Sequence, residues 1–237
     1  MTSIIPRIAV CLMLLSVTMT PLSAAKAPIV AAASDLQFAL RDIADRFTAA
    51  TGQHVRLNFG SSGNFRRQIA QGAPFELYLS ADEDYVFALH REGHTADRGV
   101  LYAVGRLAII APEHNAAIVD ESLTGLREYL AGNGRGRLAI ANPAHAPYGV
   151  AARQTLQSLD LWTAAKPRLI VGENVAQAAQ FALSGETAGG IVAYSLALAP
   201  PLKERAVHAL IPAQYHEPLR QRMVLLKRCR RNRAGLL

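Results

Sequence analysis

Neutral hydrogen-bond donors recur where strand-like runs pass into helix-like runs. In residues 57–70, "LNFGSSGNFRRQIA", an apolar run ends in Gly60-Ser61-Ser62-Gly63, and a helical pattern follows without any Lys, His or acid among the small residues. Glycines let a backbone approach a ligand closely, and serine hydroxyls with unpaired N–H groups can bind an anion without a formal charge. The stretch therefore indicates an oxyanion site, with capping of the helix by a serine as the simpler alternative.

Three other turns have the same character. Ser34 and Asp35 open a helix in "AAASDLQFAL", residues 147–149 open one in "NPAHAPYGVAARQTL", and residues 173–175 open one in "VGENVAQAAQF". Helix N-termini carry unpaired N–H groups and partial positive charge, and in an open α/β sheet they meet at the carboxyl edge of the strands. Because the Asp35 carboxylate would repel an anion, we expect it to face away and cap its own helix.

The residues also leave an enzymatic alternative open. Ser61 or Ser62 could act as a nucleophile with His145, although "GSSG" lacks the spacing of a G-x-S-x-G turn and the chain has no P-loop. His90 and His94 are spaced as a metal-binding pair on a helix, but no third ligand is near them in sequence. We therefore predict a protein without catalytic residues, resident metal or cofactor.

An alternation of strand-like and helix-like segments predicts an α/β fold. The strand-like runs are residues 28–33, 55–60, 75–81, 106–111, 137–142, 168–172, 189–195 and 206–212. Between them, four helical stretches show apolar residues on one face, and we assign all four faces to the core. One of these faces consists of Leu36, Leu40, Ile43 and Phe47.

Charge and cysteine content restrict the classes of partner. The net charge of +7 comes from the last 18 positions, which hold seven basic residues and no acid, while residues 1–219 carry 18 basic and 18 acidic side chains. The body of the protein therefore lacks the basic surface expected of a nucleic-acid-binding domain. Cys11 and Cys229 are the only cysteines, and Cys11 lies in the segment expected to be removed, so no intrachain disulfide is predicted.

The first 25 residues are typical of an export signal. Arg7 precedes the apolar run "IAVCLMLLSVTM", and small residues follow at 23–25. The apolar run is short for a membrane span, so we predict cleavage after Ala25 and a periplasmic product.

Taken together, these segments resemble the periplasmic molybdate-binding proteins of ABC importers. The resemblance is carried, in the family's order, by "AAASDLQFALRDIADRF", "FGSSGNFRRQIAQGAPFELYLSAD", "NPAHAPYGVAARQTL", "GENVAQA" and "GGIVAYS". It implies a type II periplasmic binding protein fold, in which two α/β lobes hold the oxyanion in a cleft between them. It also implies a monomer that captures molybdate, and tungstate, for a membrane permease.

The resemblance implies a set of ligand-binding residues. Four of the family's contacts fall on Ser34, Ser62, Tyr148 and the N–H of Val175. The fifth contact is a tyrosine directly after "GIV" in some members. This chain has Ala193 at that position and a tyrosine, Tyr194, one place later. We include Tyr194, although a slip of one residue turns a strand side chain to the other face. Molybdenum is expected only as molybdate, through these same residues.

The resemblance also implies a domain organisation. We expect a signal peptide at 1–25, the first lobe at 26–104, the second lobe at 105–203 and a return to the first lobe at 204–237. Family members continue past the "VLLK"-like strand with helices that complete the first lobe, whereas "MVLLK" here leads into the basic "RCRRNRAGLL". We therefore expect a truncated end and exposed apolar surface on the first lobe. A sulfate or other oxyanion receptor, a small exported serine hydrolase and a non-functional remnant remain as alternatives.

Overall fold

A computed structural model describes residues 26–132 and 136–227 of the chain. The predicted signal peptide at 1–25 and the basic segment at 228–237 lie outside these described residues. The strands are β1 Ile29–Ala33, β2 Arg56–Gly60, β3 Leu77–Ser80, β4 Val100–Gly105, β5 Leu107–Ala111, β6 Arg137–Ala141, β7 Leu169–Gly172, β8 Thr187–Ala193, β9 Val207–Leu210 and β10 Leu219–Leu225. The α-helices are α1 Gln37–Thr51, α2 Ser62–Ala70, α3 Glu83–Arg91, α4 Thr124–Ala131, α5 Pro147–Ser158, α6 Trp162–Ala165, α7 Val175–Ala182, α8 Tyr194–Ala197 and α9 Pro200–Lys203.

The strands form two five-stranded mixed sheets with the same internal plan. The first sheet has the order β2-β1-β3-β10-β4 and the second has the order β7-β6-β8-β5-β9. In each sheet three parallel strands are joined to two strands in antiparallel pairing. Each sheet with its helices forms one lobe, and the predicted two-lobed α/β fold is confirmed.

The chain passes between the lobes twice. The first passage is at Arg106, between β4 of the first sheet and β5 of the second, and the other lies between β9 and β10. The predicted return to the first lobe at residue 204 needs correction, because β9 pairs antiparallel with β5 in the second sheet. The second lobe therefore extends at least to Leu210.

The two lobes bury their sheets to different extents. In the second lobe, β5 and β6 lie in one continuous apolar core with α5 and α7. In the first lobe, α2 and α3 cover one face of the sheet through Phe65, Ile69, Val86 and Leu89. The opposite face has only a small buried cluster, Val30, Ala32 and Leu79.

The prediction that α1 contributes a core face is wrong in part. No residue of α1 is buried, and Ile43 and Phe47 are 59% and 40% exposed. Leu36 and Leu40 are partly buried against the small cluster on the first sheet. The four apolar residues therefore do lie on one face of the helical segment. Among the described residues, only the first two, Leu36 and Leu40, are covered by the sheet.

Candidate functional site

A small cleft lies between the lobes, where the predicted turns converge. It is lined by the short 3₁₀ helix Ser34–Leu36 and the start of α2 from the first lobe, and by the starts of α5 and α7 from the second. Each of these helical starts presents N–H groups without intrahelical acceptors and the positive end of a helix dipole. None of the described residues lining the cleft is Lys, Arg or His, so the positive potential comes from the backbone.

Three serines line the cleft, and Ser34 and Ser62 are the two whose hydroxyls act as acceptors there. Ser62 is the first residue of α2, and its Oγ accepts a hydrogen bond of 3.0 Å from the Ala81 N–H. Ser34 Oγ accepts one of 3.2 Å from Ala176 N–H, which links the first lobe to α7 of the second. Because both oxygens act as acceptors in these bonds, both hydroxyl protons are available for donation to an anion.

The start of α7 is held by a side-chain cap. Asn174 Oδ1 accepts hydrogen bonds from the N–H groups of Ala176 and Gln177, at 3.0 and 3.1 Å. Val175 is the first residue of the helix, so its own N–H has no intrahelical acceptor. Asn174 and Val175 both line the cleft, which leaves the Val175 N–H suited to an oxyanion.

Tyr148 joins a buried polar cluster that spans both lobes. Its hydroxyl donates to Asp35 Oδ2 at 3.1 Å and accepts from Gln221 Nε2 at 2.9 Å. Gln221 also donates to the same Asp35 oxygen, at 2.8 Å. The expectation that Asp35 faces away and caps its own helix is wrong, because the carboxyl group is 4% exposed, makes no cap and binds across the lobes.

Burial controls the protonation of this cluster. Loss of hydration raises the pKa of Asp35 from 3.8 to about 6, although the hydrogen bonds from Gln221 and Tyr148 act in the opposite direction. Burial, and then the nearby Asp35 carboxylate, raise the pKa of Tyr148 well above its usual range. The phenol therefore stays neutral, whereas Asp35 titrates close to neutral pH.

At one side of the cleft the lobes contact each other directly. Ser61 Oγ donates to the His145 carbonyl oxygen at 2.6 Å and lies 2.8 Å from His145 Nδ1, and Gly63 N–H donates to the same carbonyl at 2.9 Å. His145 Nε2 is 3.6 Å from Glu173, which also accepts from Asn64 of α2. Ser61 occupies the N-cap position of α2, but its side chain makes no capping hydrogen bond, so the capping alternative does not explain the position of this hydroxyl.

Known proteins resemble this chain in sequence and in fold. A sequence profile of the family described as "Bacterial extracellular solute-binding protein" matches residues 29–236. The chain belongs to this family.

Several relatives of this solute-binding protein have the same name. "Molybdate-binding protein ModA" of Azotobacter vinelandii is 37% identical over 207 residues, covering 87% of this chain and 80% of the relative. ModA of Rhodobacter capsulatus is 36% identical over 206 residues, covering 86% and 78%. The solved structure of the Azotobacter vinelandii periplasmic molybdate-binding protein has a TM-score of 0.75 at 33% identity, covering 84% of this chain and 85% of that one.

The structure of this solute-binding protein brings four of the five predicted site residues together. Ser34, Ser62, Tyr148 and Val175 line the cleft. Tyr194 is not among the lining residues, because β8 ends at Ala193 and Tyr194 begins α8, with its ring 6.0 Å from that of His208. Its neighbour Ser195 instead donates through Oγ to the Asp35 carbonyl, at 2.9 Å.

Local sequence patterns do not reveal the hydrogen bonds that join Asp35, Tyr148 and Gln221 at the site. Gln221 lies on β10, 186 positions from its partner Asp35, and no local pattern connects them. One feature of the sequence did point to Asp35: an acidic residue is unexpected in a turn whose other groups are neutral hydrogen-bond donors.

The described residues lack two further features. No group of three or more His, Cys, Asp or Glu side chains in ranges 26–132 and 136–227 is arranged to hold a metal ion. Within the same ranges, no helix combines the length and apolar character that a membrane crossing needs.

Proposed function

We propose that this chain captures molybdate, and also tungstate, in the cleft between its lobes and delivers it to the permease of an ABC importer. The proposal rests above all on one observation: two serine hydroxyls and several helix N-termini converge in one cleft without any cation. The names of the relatives support molybdate as the ligand. The anion is cargo, held through its oxygen atoms, and the protein supplies no covalent chemistry.

The donors account for binding of a doubly charged oxyanion. Ser34, Ser62 and Val175 all line the cleft, so the two hydroxyls and the Val175 N–H are placed to donate to a bound anion. Each hydrogen bond to a charged group contributes about 1.5–3 kcal/mol, so several of them reach micromolar or tighter affinity. Tyr148 contributes differently from the other three, since its proton is already donated to Asp35.

We infer a periplasmic monomer as the working form. Membership in an extracellular solute-binding family and the signal-like residues 1–25 support export. Two lobes joined by two passages let one chain close around one anion, so no second copy is needed for the site.

The decisive experiment measures anion binding by the processed chain purified from the periplasm. Molybdate, tungstate, sulfate and phosphate are added separately during thermal unfolding, and dissociation constants follow by calorimetry. A ligand at 100 times its dissociation constant stabilises the native state by about 2.7 kcal/mol, which raises the midpoint by several degrees. We expect molybdate and tungstate to do so at concentrations where sulfate does not. Equal or stronger binding of sulfate would favour the sulfate-receptor alternative.

The Ser62→Ala variant tests the proposed site. Removal of this hydroxyl deletes a donor to the anion and the acceptor of the Ala81 N–H, so we expect affinity for molybdate to fall about 10- to 150-fold. Ser184→Ala is the matched control, because the Ser184 hydroxyl is exposed on the second lobe and bonds only to the Phe181 carbonyl. Unchanged affinity in Ser62→Ala would remove this serine from the site.

An exported serine hydrolase is the second candidate, because Ser61 lies within hydrogen-bond distance of His145. The geometry is unfavourable for a nucleophile, since Ser61 donates its proton to a carbonyl at 2.6 Å and the ring nitrogen at 2.8 Å must then act as the donor. Ser61 and His145 are also both buried. Turnover of a chromogenic ester that disappears in Ser61→Ala would support the hydrolase, and its absence alongside molybdate binding would support the receptor.

A further inference from the structure

Asp35 places an ionisable group inside a site otherwise built of neutral donors. Asp35 is 4% exposed and lines the anion cleft next to Ser34. Its Oδ2 accepts from Tyr148 and Gln221, whereas its buried Oδ1 has no hydrogen-bond partner among the described residues. A buried oxygen without a donor is costly when charged, and a proton on it removes that cost.

The groups that face Asp35 offer it no counter-charge. Tyr148 from α5 and Tyr102 from β4 are the titratable neighbours, and burial raises the pKa of both phenols above the usual range. β10 presents the amide of Gln221, and α8 presents the hydroxyl of Ser195 to the Asp35 carbonyl. No Lys, Arg or His of the described chain contributes to the pKa of Asp35. A dianion entering the same cleft therefore meets either a neutral carboxyl group or an uncompensated carboxylate.

We propose that anion binding is linked to one proton: a doubly charged oxyanion enters the cleft together with a proton that resides on the Asp35 carboxyl group. This inference rests on the proposed function, because it concerns the same cleft. Like charges that are buried close together disfavour simultaneous ionisation, so the bound dianion holds Asp35 in its protonated form. Asp35 is thus a residue that determines how tightly the site binds at a given pH.

The sign of the effect follows from linkage. The unliganded protein loses the Asp35 proton as the pH rises through about 6. Below that pH both states carry the proton, and affinity for an oxyanion that stays doubly charged is constant. Above it the proton must be taken up on binding, so affinity falls about tenfold for each pH unit.

The test uses calorimetric titration of the purified, processed chain with sodium molybdate between pH 6.5 and 8.0. We expect the dissociation constant of the wild type to rise about 30-fold over this range, and titrations in two buffers of different ionisation heat to report uptake of one proton. In Asp35→Asn, which cannot ionise, the dependence should vanish, and at pH 8.0 the variant should bind more tightly than the wild type. A structural role alone would weaken binding at every pH.

Asp84→Asn is the matched control, since it removes one negative charge from an exposed position of α3 in the same lobe. It should keep the slope of the wild type. The inference is overturned if the wild type binds molybdate with no pH dependence of the dissociation constant and no proton uptake. It is also overturned if the pH dependence persists in Asp35→Asn. In both cases the proposed function still stands. Absence of binding at every pH rejects the proposed function and the inference with it.

Discussion

The carboxyl group of Asp35 lies almost completely out of water, and its pKa rises from 3.8 to about 6 for that reason. The folded chain therefore holds a proton that the unfolded chain has already lost between these two pH values. The contribution of this group to the free energy of unfolding falls as the pH rises from about 4 to 6 and is constant above 6. The native state thus bears the cost of a buried charge at neutral pH.

The free energy of unfolding of the Asp35→Asn variant, measured without anion, tests this cost. An amide cannot ionise and still offers an oxygen to Tyr148 and Gln221, so we expect a gain of up to about 3 kcal/mol in the free energy of unfolding at pH 7. The gain should shrink as the pH falls from 6 towards 4. Urea unfolding of the variant and the wild type, at pH 4.5 and pH 7.0 without anion, measures this gain. The same gain at both pH values would contradict the assigned pKa.

At the scale of elements, the start of α7 depends on the Asn174 cap. Asn174→Ala leaves the Ala176 and Gln177 N–H groups without this acceptor, and we expect a loss of about 1 kcal/mol in stability with weaker molybdate binding at Val175. Asn174→Asp separates the two roles. It keeps a capping oxygen and the stability, but its negative charge at the cleft should lower anion affinity. Urea unfolding and calorimetry measure both, and equal affinity in Asn174→Asp and wild type would place Asn174 away from the anion.

Helix α1 and helix α3 differ in how much they contribute to the first lobe. Ile43 of α1 is 59% exposed, whereas Leu89 of α3 is fully buried. We expect Ile43→Ala to cost below about 1 kcal/mol and Leu89→Ala to cost about 2–5 kcal/mol in urea unfolding. A large cost for Ile43→Ala would show that something covers this face of α1 in solution.

For the whole molecule, the arrangement of the lobes depends on a close approach at Gly63. A Cβ atom at this position would lie 2.6 Å from the His145 carbonyl oxygen, across the contact between the lobes. We expect Gly63→Ala to force the lobes apart and to lower molybdate affinity at least tenfold, with little change in the unfolding midpoint of the unliganded chain.

Gly185→Ala is the control for this variant, because a Cβ atom there meets nothing within 4 Å. It should bind molybdate like the wild type. Small-angle scattering of both variants, with and without molybdate, should show that Gly63→Ala is more extended than Gly185→Ala. Wild-type affinity in Gly63→Ala would mean that the site does not need this contact.

Much of this architecture follows from local patterns in the chain. Each of the eight strand-like runs overlaps a strand, and small polar turns after several of them open helices at the cleft. Alternation of strand and helix and the chemistry of helix N-termini are local properties, so they are readable without the fold. The strands β4 and β10 were absent from the predicted strand-like runs, and β10 was expected only from the family resemblance, as a "VLLK"-like strand. The segment "VLYAVG" becomes an edge strand only by pairing with the distant β10.

The sequence by itself determined which residues supply neutral donors, and the tertiary structure decided what those donors face. Ser34, Ser62 and Val175 reach the cleft because each opens a helix, a feature encoded within a few residues. Tyr194 and Asp35 were placed differently from expectation, because the end of β8 at Ala193 and the bonds from Tyr148 and Gln221 direct them. The bond from Gln221 joins two parts of the first lobe that are 186 positions apart, and it exists only once that lobe has folded. The bond from Tyr148 joins residues 113 positions apart in different lobes, and it exists only once the two lobes have met.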